Sequence, residues 1–232
     1  LFSGAGGLDV GFLKSGFDVI WANDIDRDSC QTYESNHGLI IQNGNLNSFL
    51  TDLKKYKGVD CIFGGPPCQG FSRAGSMDPF DPRNKLVVDF MKAVEIVRPS
   101  LFVMENVKPL AIHKKFSFLR KKLINKSSSL GYSTEILLLN AKDFGVPQAR
   151  ERMFLIGYLG RRVAGPLFEH MKKYNKKSRP LKDTFIKLGP AGNPKNKRVC
   201  RAKVVLAKKP VLRVSPYAGM LFNGLGRPLN PS

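Results

Sequence analysis

Short apolar runs alternate with segments of helical periodicity over the first two thirds of the chain. The apolar runs each end in polar residues or glycine, as buried parallel strands do, and they lie at residues 17–24, 59–65 and 99–106. The intervening segments repeat their apolar residues at helical spacing and lie at residues 26–36, 47–56 and 84–98. This alternation predicts an α/β fold with a doubly wound, mostly parallel sheet.

The pattern changes near residue 160. A helix over about 114–130 and strands at 132–140 and 152–159 complete the regular part, whereas the following segment is rich in Lys, Arg, Gly, Pro and Asn. We therefore expect two domains, an α/β domain at 1–157 and a small loop-rich domain at 158–232. Because "LFSGAGG" resembles the end of a strand and "RPLNPS" closes no clear element, we expect the chain to be a fragment, incomplete at its C-terminal end.

Charge divides the chain at the same place. The 232 residues carry a formal net charge of +20, and the segment from Tyr158 onward holds 18 Lys and Arg against 2 Asp and Glu. An excess of this size repels itself without a polyanion, and nucleic acid is favoured over an acidic membrane because no basic amphipathic helix stands out. No apolar run approaches the roughly 18 residues of a membrane span, so we expect a cytosolic protein with no membrane partner.

A glycine-rich turn opens the chain and suggests a nucleotide-type site. Gly4 and Gly6 stand between a strand end and a helix start, where the backbone can turn sharply and approach a ligand. The dinucleotide fingerprint is broken by Asp9 at its third glycine position. Asp24, at the end of the next strand, is placed to accept hydrogen bonds from a ribose, and its alternative role is the N-cap of the following helix.

The loop "GGPPCQGFS" holds the candidate nucleophile. Pro66 and Pro67 restrict the backbone before Cys68, which follows the carboxyl end of a predicted parallel strand, where α/β folds place their chemistry. A thiol there needs cationic or amide help to ionise. Cys61, inside the strand, is interpreted as a small buried hydrophobe, and the four cysteines and three histidines show no zinc-binding spacing.

Two other predicted strand ends carry partners for this thiol. Glu105 follows an apolar run and offers a carboxyl group for acid, base or hydrogen-bonding work, its plainer role being a helix cap or surface residue. Gln148, Arg150 and Arg152 stand at alternate positions, so an extended segment places all three on one side. Two guanidinium groups on one face suit an anion or a polarised carbonyl, although exposed strand arginines are common.

These motifs, in this order, resemble the DNA (cytosine-5) methyltransferase family over roughly residues 1–157. "FSGAGG" is similar to its cofactor loop, "NDID" to its acidic second motif and "GGPPCQGFS" to its nucleophile loop. "ENV" and "QARER" are similar to its two later catalytic motifs. The resemblance implies the S-adenosylmethionine-dependent methyltransferase fold and that cofactor.

The resemblance also implies a set of cofactor contacts. The implied residues are Phe2, Gly4, Gly6 and Pro66 lining the site, Asp24 on the ribose, Ile25 on the adenine, and Asn45 and Leu86 as further contacts. Asn45 stands where the family has an acidic residue, so we expect altered contacts there rather than lost binding.

The implied reaction methylates carbon 5 of a cytosine. Cys68 would add to carbon 6 and make the ring electron-rich, while Glu105 would hydrogen-bond N3. Arg152 would contact the ring carbonyl, with Arg150 near it and Gln148 supporting the loop. A stacked cytosine hides carbon 6, so the target would rotate out of the duplex.

The basic segment falls where the family keeps its target-recognition domain, and duplex DNA is the implied partner. The family's last motif, a helix beside the cofactor, has no match, so either the chain is truncated or a second polypeptide supplies it. The resemblance suggests a sequence-specific enzyme of a restriction-modification system, bacterial and cytoplasmic or nucleoid-associated. Three alternatives stay open: a transfer RNA cytosine-5 methyltransferase, an inactive DNA-binding homologue, and, disfavoured by Asp9 and the basic domain, a nicotinamide-dependent oxidoreductase.

Overall fold

The structure is a computed structural model that describes residues 1–67, 84–160 and 167–183. The chain divides into two units, Leu1–Arg179 and Pro180–Ser232, and the architecture below is that of the first. The predicted boundary between 157 and 158 remains a prediction. Among the described residues, no helix is both long and apolar enough to cross a membrane.

Helices and strands alternate as the sequence pattern predicts. The strands are β1 (Ala22–Asp24), β2 (Ile41–Asn43), β3 (Cys61–Gly64), β4 (Leu101–Val107), β5 (Tyr132–Asn140) and β6 (Glu151–Leu159). The helices are α1 (Gly7–Lys14), α2 (Arg27–His37), α3 (Leu46–Phe49), α4 (Lys85–Val97), α5 (Lys108–Ile112), α6 (Ser117–Ser129) and α7 (Leu167–Lys172). Short 3-10 turns follow α3, α5 and β5.

The strands form two groups. β1 and β2 pair in parallel, and the other four strands lie in the order β3-β4-β6-β5. Within the second group β3 and β4 are parallel, whereas β6 runs antiparallel to both β4 and β5. Two backbone bonds from the first residues link the groups: the Leu1 amine donates to the Phe63 oxygen at 2.7 Å, and Ser3 N donates to the Asn23 oxygen at 2.9 Å.

This topology gathers the chemistry at one edge of the second group. The carboxyl ends of the parallel strands β3 and β4 meet there, and antiparallel β6 brings its amino end to the same edge, since Val107 lies opposite Arg152. Polar residues at strand ends are exposed at such an edge while the apolar residues behind them stay in the core.

The core lies between α4 and the sheet. Helix α4 buries one apolar face, and its fully buried apolar residues recur at helical spacing: Val87, Phe90, Met91, Ala93, Val94 and Val97. Phe102 of β4 meets Phe90 edge to face, with ring centroids 6.2 Å apart. Gly157 of β6 is required beside it, because a Cβ at that position would overlap the Phe102 ring.

Several elements differ from the sequence-based expectation, which includes neither strand β2 nor helix α7. Residues 17–21 were expected in the first strand, but β1 pairs with β2 only from Ala22, and the residues before it line a cleft of about 470 Å³. The helix expected at 47–56 is a four-residue helix followed by a 3-10 turn at Asp52–Tyr56, an arrangement that still buries Leu46 and Leu53. Helix α5 was not predicted, since it is only five residues long.

Candidate active site

The glycine loop and the end of β1 are tied together by a carboxylate. Gly4 has a φ of 54°, a conformation that glycine adopts easily, and its N–H donates to Asp24 Oδ2 at 2.8 Å. A Cβ on Gly4 would point into open space, so the loop leaves room above its backbone. The other oxygen of Asp24 accepts a bond from Asp26 N at 2.9 Å. The carboxylate is therefore held at the mouth of the loop.

The structure tests the alternative prediction that Asp24 is the N-cap of the following helix. The N-cap of α2 is Asp26, whose carboxylate accepts bonds from the N–H of Ser29 at 2.9 Å and from its hydroxyl. These two bonds, the hydroxyl bond first, lower the pKa of Asp26. The interpretation of Asp24 as the N-cap is therefore wrong, because Asp26 caps the helix.

Ile25 and Asn45, two further predicted cofactor residues, differ in which of their side-chain groups could contact a ligand. Ile25 is 66% exposed directly after β1, so its apolar side chain is open to a ligand. Asn45 caps α3, and its Oδ1 accepts a bond from Asn47 N at 2.9 Å. The amide oxygen of Asn45 is thus engaged within the chain, and its NH₂ group can only donate.

The remaining cofactor predictions are positioned by their backbone. Phe2 has a positive φ of 52° and its N–H points at Asn23 Oδ1 at 3.4 Å. Gly6 ends the loop with a φ of 85° at the start of α1. Leu86 is half-buried in the first turn of α4.

The catalytic candidates of β4 and β6 form an ion-paired cluster. Arg152 Nε lies 2.9 Å from Glu105 Oε1, and an Arg150 nitrogen lies 3.7 Å from the same oxygen. The side chains of Glu105 and Arg152 are 23% and 25% exposed, so the pair is partly desolvated yet reachable. Gly65 approaches the other carboxylate oxygen, since a Cβ there would lie 3.4 Å from Oε2. Glu105, Arg150 and Arg152 are thus brought together. The fourth predicted partner, Gln148, is exposed ahead of β6, where its N–H donates to the Val146 oxygen at 2.8 Å, and it does not join the cluster.

A cleft of about 520 Å³ opens over this cluster. Glu105, Arg150 and Arg152 form its charged wall, and Phe2 and Gly65 join them from the glycine loop and the end of β3. The apolar lining includes Leu139, Phe144 and Phe154; Phe154 lies next to Glu105 and Leu139 next to Arg152 in the strand register. A flat, polar-edged ring fits such a cleft, which offers both hydrogen-bonding groups and apolar surface.

Asn106, the second residue of the "ENV" motif, received no role in the sequence analysis, and the structure gives it a specific contact. It is 1% exposed, and its Nδ2 donates to the buried Pro66 oxygen at 3.1 Å while its Oδ1 accepts from Val107 N at 2.9 Å. It therefore ties β4 to the loop that leads to Cys68. The signal was available, because alternation along β4 places an amide on the same buried face as Phe102 and Met104.

Of the two cysteines discussed in the sequence analysis, only Cys61 lies among the described residues. Cys68 lies outside the described residues, so its role remains a prediction, whereas Pro66 lies at the edge of the site as described. Burial raises the pKa of the Cys61 thiol to about 12. Such a thiol is inert at neutral pH, which agrees with its interpretation as a small hydrophobe. Among the described residues, no group of three or more His, Cys, Asp and Glu could hold a metal ion.

Comparison with known proteins places this fold and site in a class. One similar solved structure is that of an E. coli prophage protein described as a DNA modification methyltransferase. It superposes with a TM-score of 0.59 and 34% identity, over 68% of this chain and 45% of that one. The class is that of α/β methyltransferases that use S-adenosylmethionine, which confirms the predicted fold.

Sequence comparison then gives the family. The profile of the C-5 cytosine-specific DNA methylases matches residues 1–212, and the chain belongs to that family. The Type II methyltransferase M.FnuDI of Fusobacterium nucleatum is 39% identical over 206 residues, 85% of this chain and 58% of its own length. M.MthTI of Methanothermobacter thermautotrophicus is 41% identical over 179 residues, 76% of this chain and 52% of its own length. The chain thus spans about half the length of the curated relatives it matches.

Proposed function

We propose that this chain supplies the catalytic part of a DNA (cytosine-5-)-methyltransferase acting on a flipped cytosine in duplex DNA. The observation that carries the proposal is the Glu105–Arg152 pair, 2.9 Å apart, beside the backbone of Gly65 on the loop that leads to Cys68. Family membership and the two similar Type II methyltransferases support the same activity.

The residues of the glycine edge fit an adenosine-bearing cofactor. Asp24 presents a fixed carboxylate for two ribose hydroxyls, the exposed Ile25 offers an apolar surface for a base, and Gly4 leaves open space for a ligand. When bound, S-adenosylmethionine supplies an electrophilic methyl group on its sulfonium. Asn45 would meet the adenine as a donor, because its oxygen is engaged in capping α3.

The catalytic edge would act on the cytosine ring. The Cys68 thiolate forms a bond to carbon 6 and breaks the 5,6 double bond, so that electron density moves to carbon 5 and N3. A proton shared between the Glu105 carboxyl group and N3 stabilises the electron density that builds up there, and Arg152 stabilises charge at the ring carbonyl. After carbon 5 has gained the methyl group, loss of its proton restores the double bond and expels the thiolate.

Covalent trapping tests the nucleophile. A duplex carrying 5-fluorocytosine should form an adduct that survives denaturing electrophoresis, because fluorine cannot leave carbon 5 as a proton does. Cys68→Ala should abolish both the adduct and methyl transfer while leaving DNA affinity largely intact. Cys61→Ala is the matched control and should retain both. Full turnover by Cys68→Ala would remove the nucleophile assignment.

The nucleic-acid substrate is tested in the same assay. Labelled S-adenosylmethionine is offered with duplex DNA or with transfer RNA, and we expect label in the DNA. Label only in the RNA would favour the transfer RNA methyltransferase, and binding of DNA without label in either would favour an inactive homologue. Sequence specificity, a restriction-modification context, a cytoplasmic or nucleoid location, and completion of the cofactor site by a further segment or polypeptide are the finer parts of this proposal.

A further inference from the structure

Asn43 is the last residue of β2 and lies opposite Asp24 in the parallel register of β1 and β2. Its side chain is turned toward the backbone of the neighbouring loop. The amide Nδ2 donates to the Ile25 oxygen at 3.0 Å and to the Asp24 oxygen at 3.2 Å, and lies 3.5 Å from Cys30 Sγ. One exposed amide therefore bonds two consecutive carbonyl groups. The Asp24 oxygen also accepts a bond from Gly44 N at 2.8 Å in the strand ladder, so the main effect of Asn43 is on the Ile25 carbonyl.

These carbonyl groups belong to the residues proposed to contact adenosine. The side chain of Asp24 is oriented on its other side by Gly4 N and Asp26 N. Ile25 has no comparable support from burial, because its side chain is 66% exposed. The direction in which Ile25 points is thus set by its backbone, and the amide of Asn43 is bonded to that backbone.

Hydrogen-bond chemistry fixes the orientation of the Asn43 amide. Carbonyl oxygens only accept hydrogen bonds, so the NH₂ group and not the oxygen of Asn43 must face Asp24 and Ile25. A carboxylate of the same shape would place an acceptor against two acceptors. The position therefore requires an amide for a reason that secondary structure alone does not impose, since a parallel ladder uses only backbone groups.

We propose that Asn43 is a positioning residue for the adenosine part of the cofactor, an inference that rests on the proposed function. It acts through the backbone of Asp24 and Ile25 and holds the ribose carboxylate and the adenine surface at a fixed spacing. Preorganisation of this kind lowers the cost of ordering the loop when the ligand binds. The contribution belongs to binding of the nucleoside and not to methyl transfer.

Calorimetry with Asn43→Ala and Asn43→Asp tests the proposal. Loss of the two bonds in the alanine variant should weaken S-adenosylhomocysteine binding by about five- to tenfold. The aspartate variant should lose more, because its carboxylate repels both carbonyl oxygens. Methylthioadenosine should lose affinity by the same factor as S-adenosylhomocysteine, and kcat at saturating S-adenosylmethionine should stay at the wild-type value while KM rises.

Asn36→Ala is the matched control. Asn36 is also an exposed amide bonded to a carbonyl group, donating to the Thr32 oxygen at 2.7 Å within α2, and its loss should leave ligand binding unchanged. Equal binding by wild type and Asn43→Asp would overturn the inference alone, as would a fall in kcat and stability with no change in KM. A wild type that binds no S-adenosylhomocysteine would overturn the cofactor assignment and this inference with it.

Discussion

The cofactor edge and the catalytic edge of this fold are held in place by different means. β4 pairs with β6 along its whole length, Leu101–Val107, so hydrogen bonds between strands fix the backbone beneath the catalytic cluster. β1 pairs with β2 only over Ala22–Asp24, and side chains hold the loop around it. Asn23, for example, donates to the Gly44 oxygen at 2.9 Å.

Because of this difference, side chains on the two edges have different roles. On the catalytic edge strand pairing fixes the backbone, so Glu105 Oε1 and Arg152 Nε pair with each other, although another nitrogen of Arg152 donates to the Glu151 oxygen at 2.8 Å. On the cofactor edge, the side chains of Asp24 and Asn45 accept hydrogen bonds from backbone N–H groups of the chain. Substitutions on the catalytic edge should therefore change the rate of the reaction, and substitutions on the cofactor edge should change binding.

Glu105→Gln should give the largest effect. The amide keeps the shape of the side chain but loses its charge and its ion pair with Arg152, so we expect kcat to fall by about 10²- to 10⁴-fold. The affinity for S-adenosylhomocysteine should stay unchanged. Glu95→Gln is the control, because its exposed pair with Lys126 lies on α4 and α6. A variant at Glu105 with wild-type kcat would refute the separation of the two edges.

Asn106→Ala should have the next largest effect. It leaves the buried Pro66 oxygen without its donor, which costs about 1–3 kcal/mol in the free energy of unfolding. The nucleophile loop also loses its tie to β4, and misplacement of a reacting group by about 1 Å costs on the order of 10²-fold in rate. Urea denaturation and steady-state kinetics measure the two losses.

Tyr132→Phe distinguishes stability from positioning. The buried Tyr132 hydroxyl donates to the Pro99 oxygen at 2.7 Å, so its removal should lower stability without lowering kcat. If both variants lose stability and only Asn106→Ala loses rate, the loop tie has a catalytic role. Equal kcat in the two variants would assign Asn106 to stability alone.

Local sequence patterns predicted those features that depend on periodicity. Helix α4 and strand β5 were predicted to within one residue, because their apolar spacing is long and regular. The predicted first strand, 17–24, is longer than β1, because an apolar run at 17–21 does not indicate whether a neighbouring strand pairs with it. The helix expected at 47–56 failed because burial of Leu46 and Leu53 is compatible with more than one helical geometry.

Part of the site could be predicted only by resemblance, and part not at all. Glu105 and Arg152 are about fifty positions apart in the chain, and their 2.9 Å contact depends on the antiparallel register of β4 and β6. Sequence alternation placed each residue at a strand end but gave no register. The roles of Asn43 and Asn106 depend on carbonyl groups of other elements, which no local pattern reveals.

The two loop glycines offer the finest test of the comparison, because both have positive φ but differ in their surroundings. Gly4→Ala and Gly6→Ala should each lose about 1–2 kcal/mol in the free energy of unfolding from backbone strain. At Gly6 the new Cβ would also overlap the imidazole of His37, which is held by ring contact with Tyr33 at 4.6 Å. Overpacking of this kind adds about 1–3 kcal/mol.

A double variant separates these two contributions. His37→Ala removes the overlap with the imidazole, so Gly6→Ala should cost less in that background than in the wild type. The remaining loss should stay above that of Gly4→Ala, because Tyr33 Cδ2 lies only 3.0 Å from the new Cβ. Urea denaturation measures each step of the cycle. Because a Cβ on Gly4 points into open space, Gly4→Ala should instead weaken S-adenosylhomocysteine binding by filling the room above the loop. Unchanged affinity in Gly4→Ala would mean that the cofactor does not lie over this glycine, and the cofactor edge would then have to be reassigned.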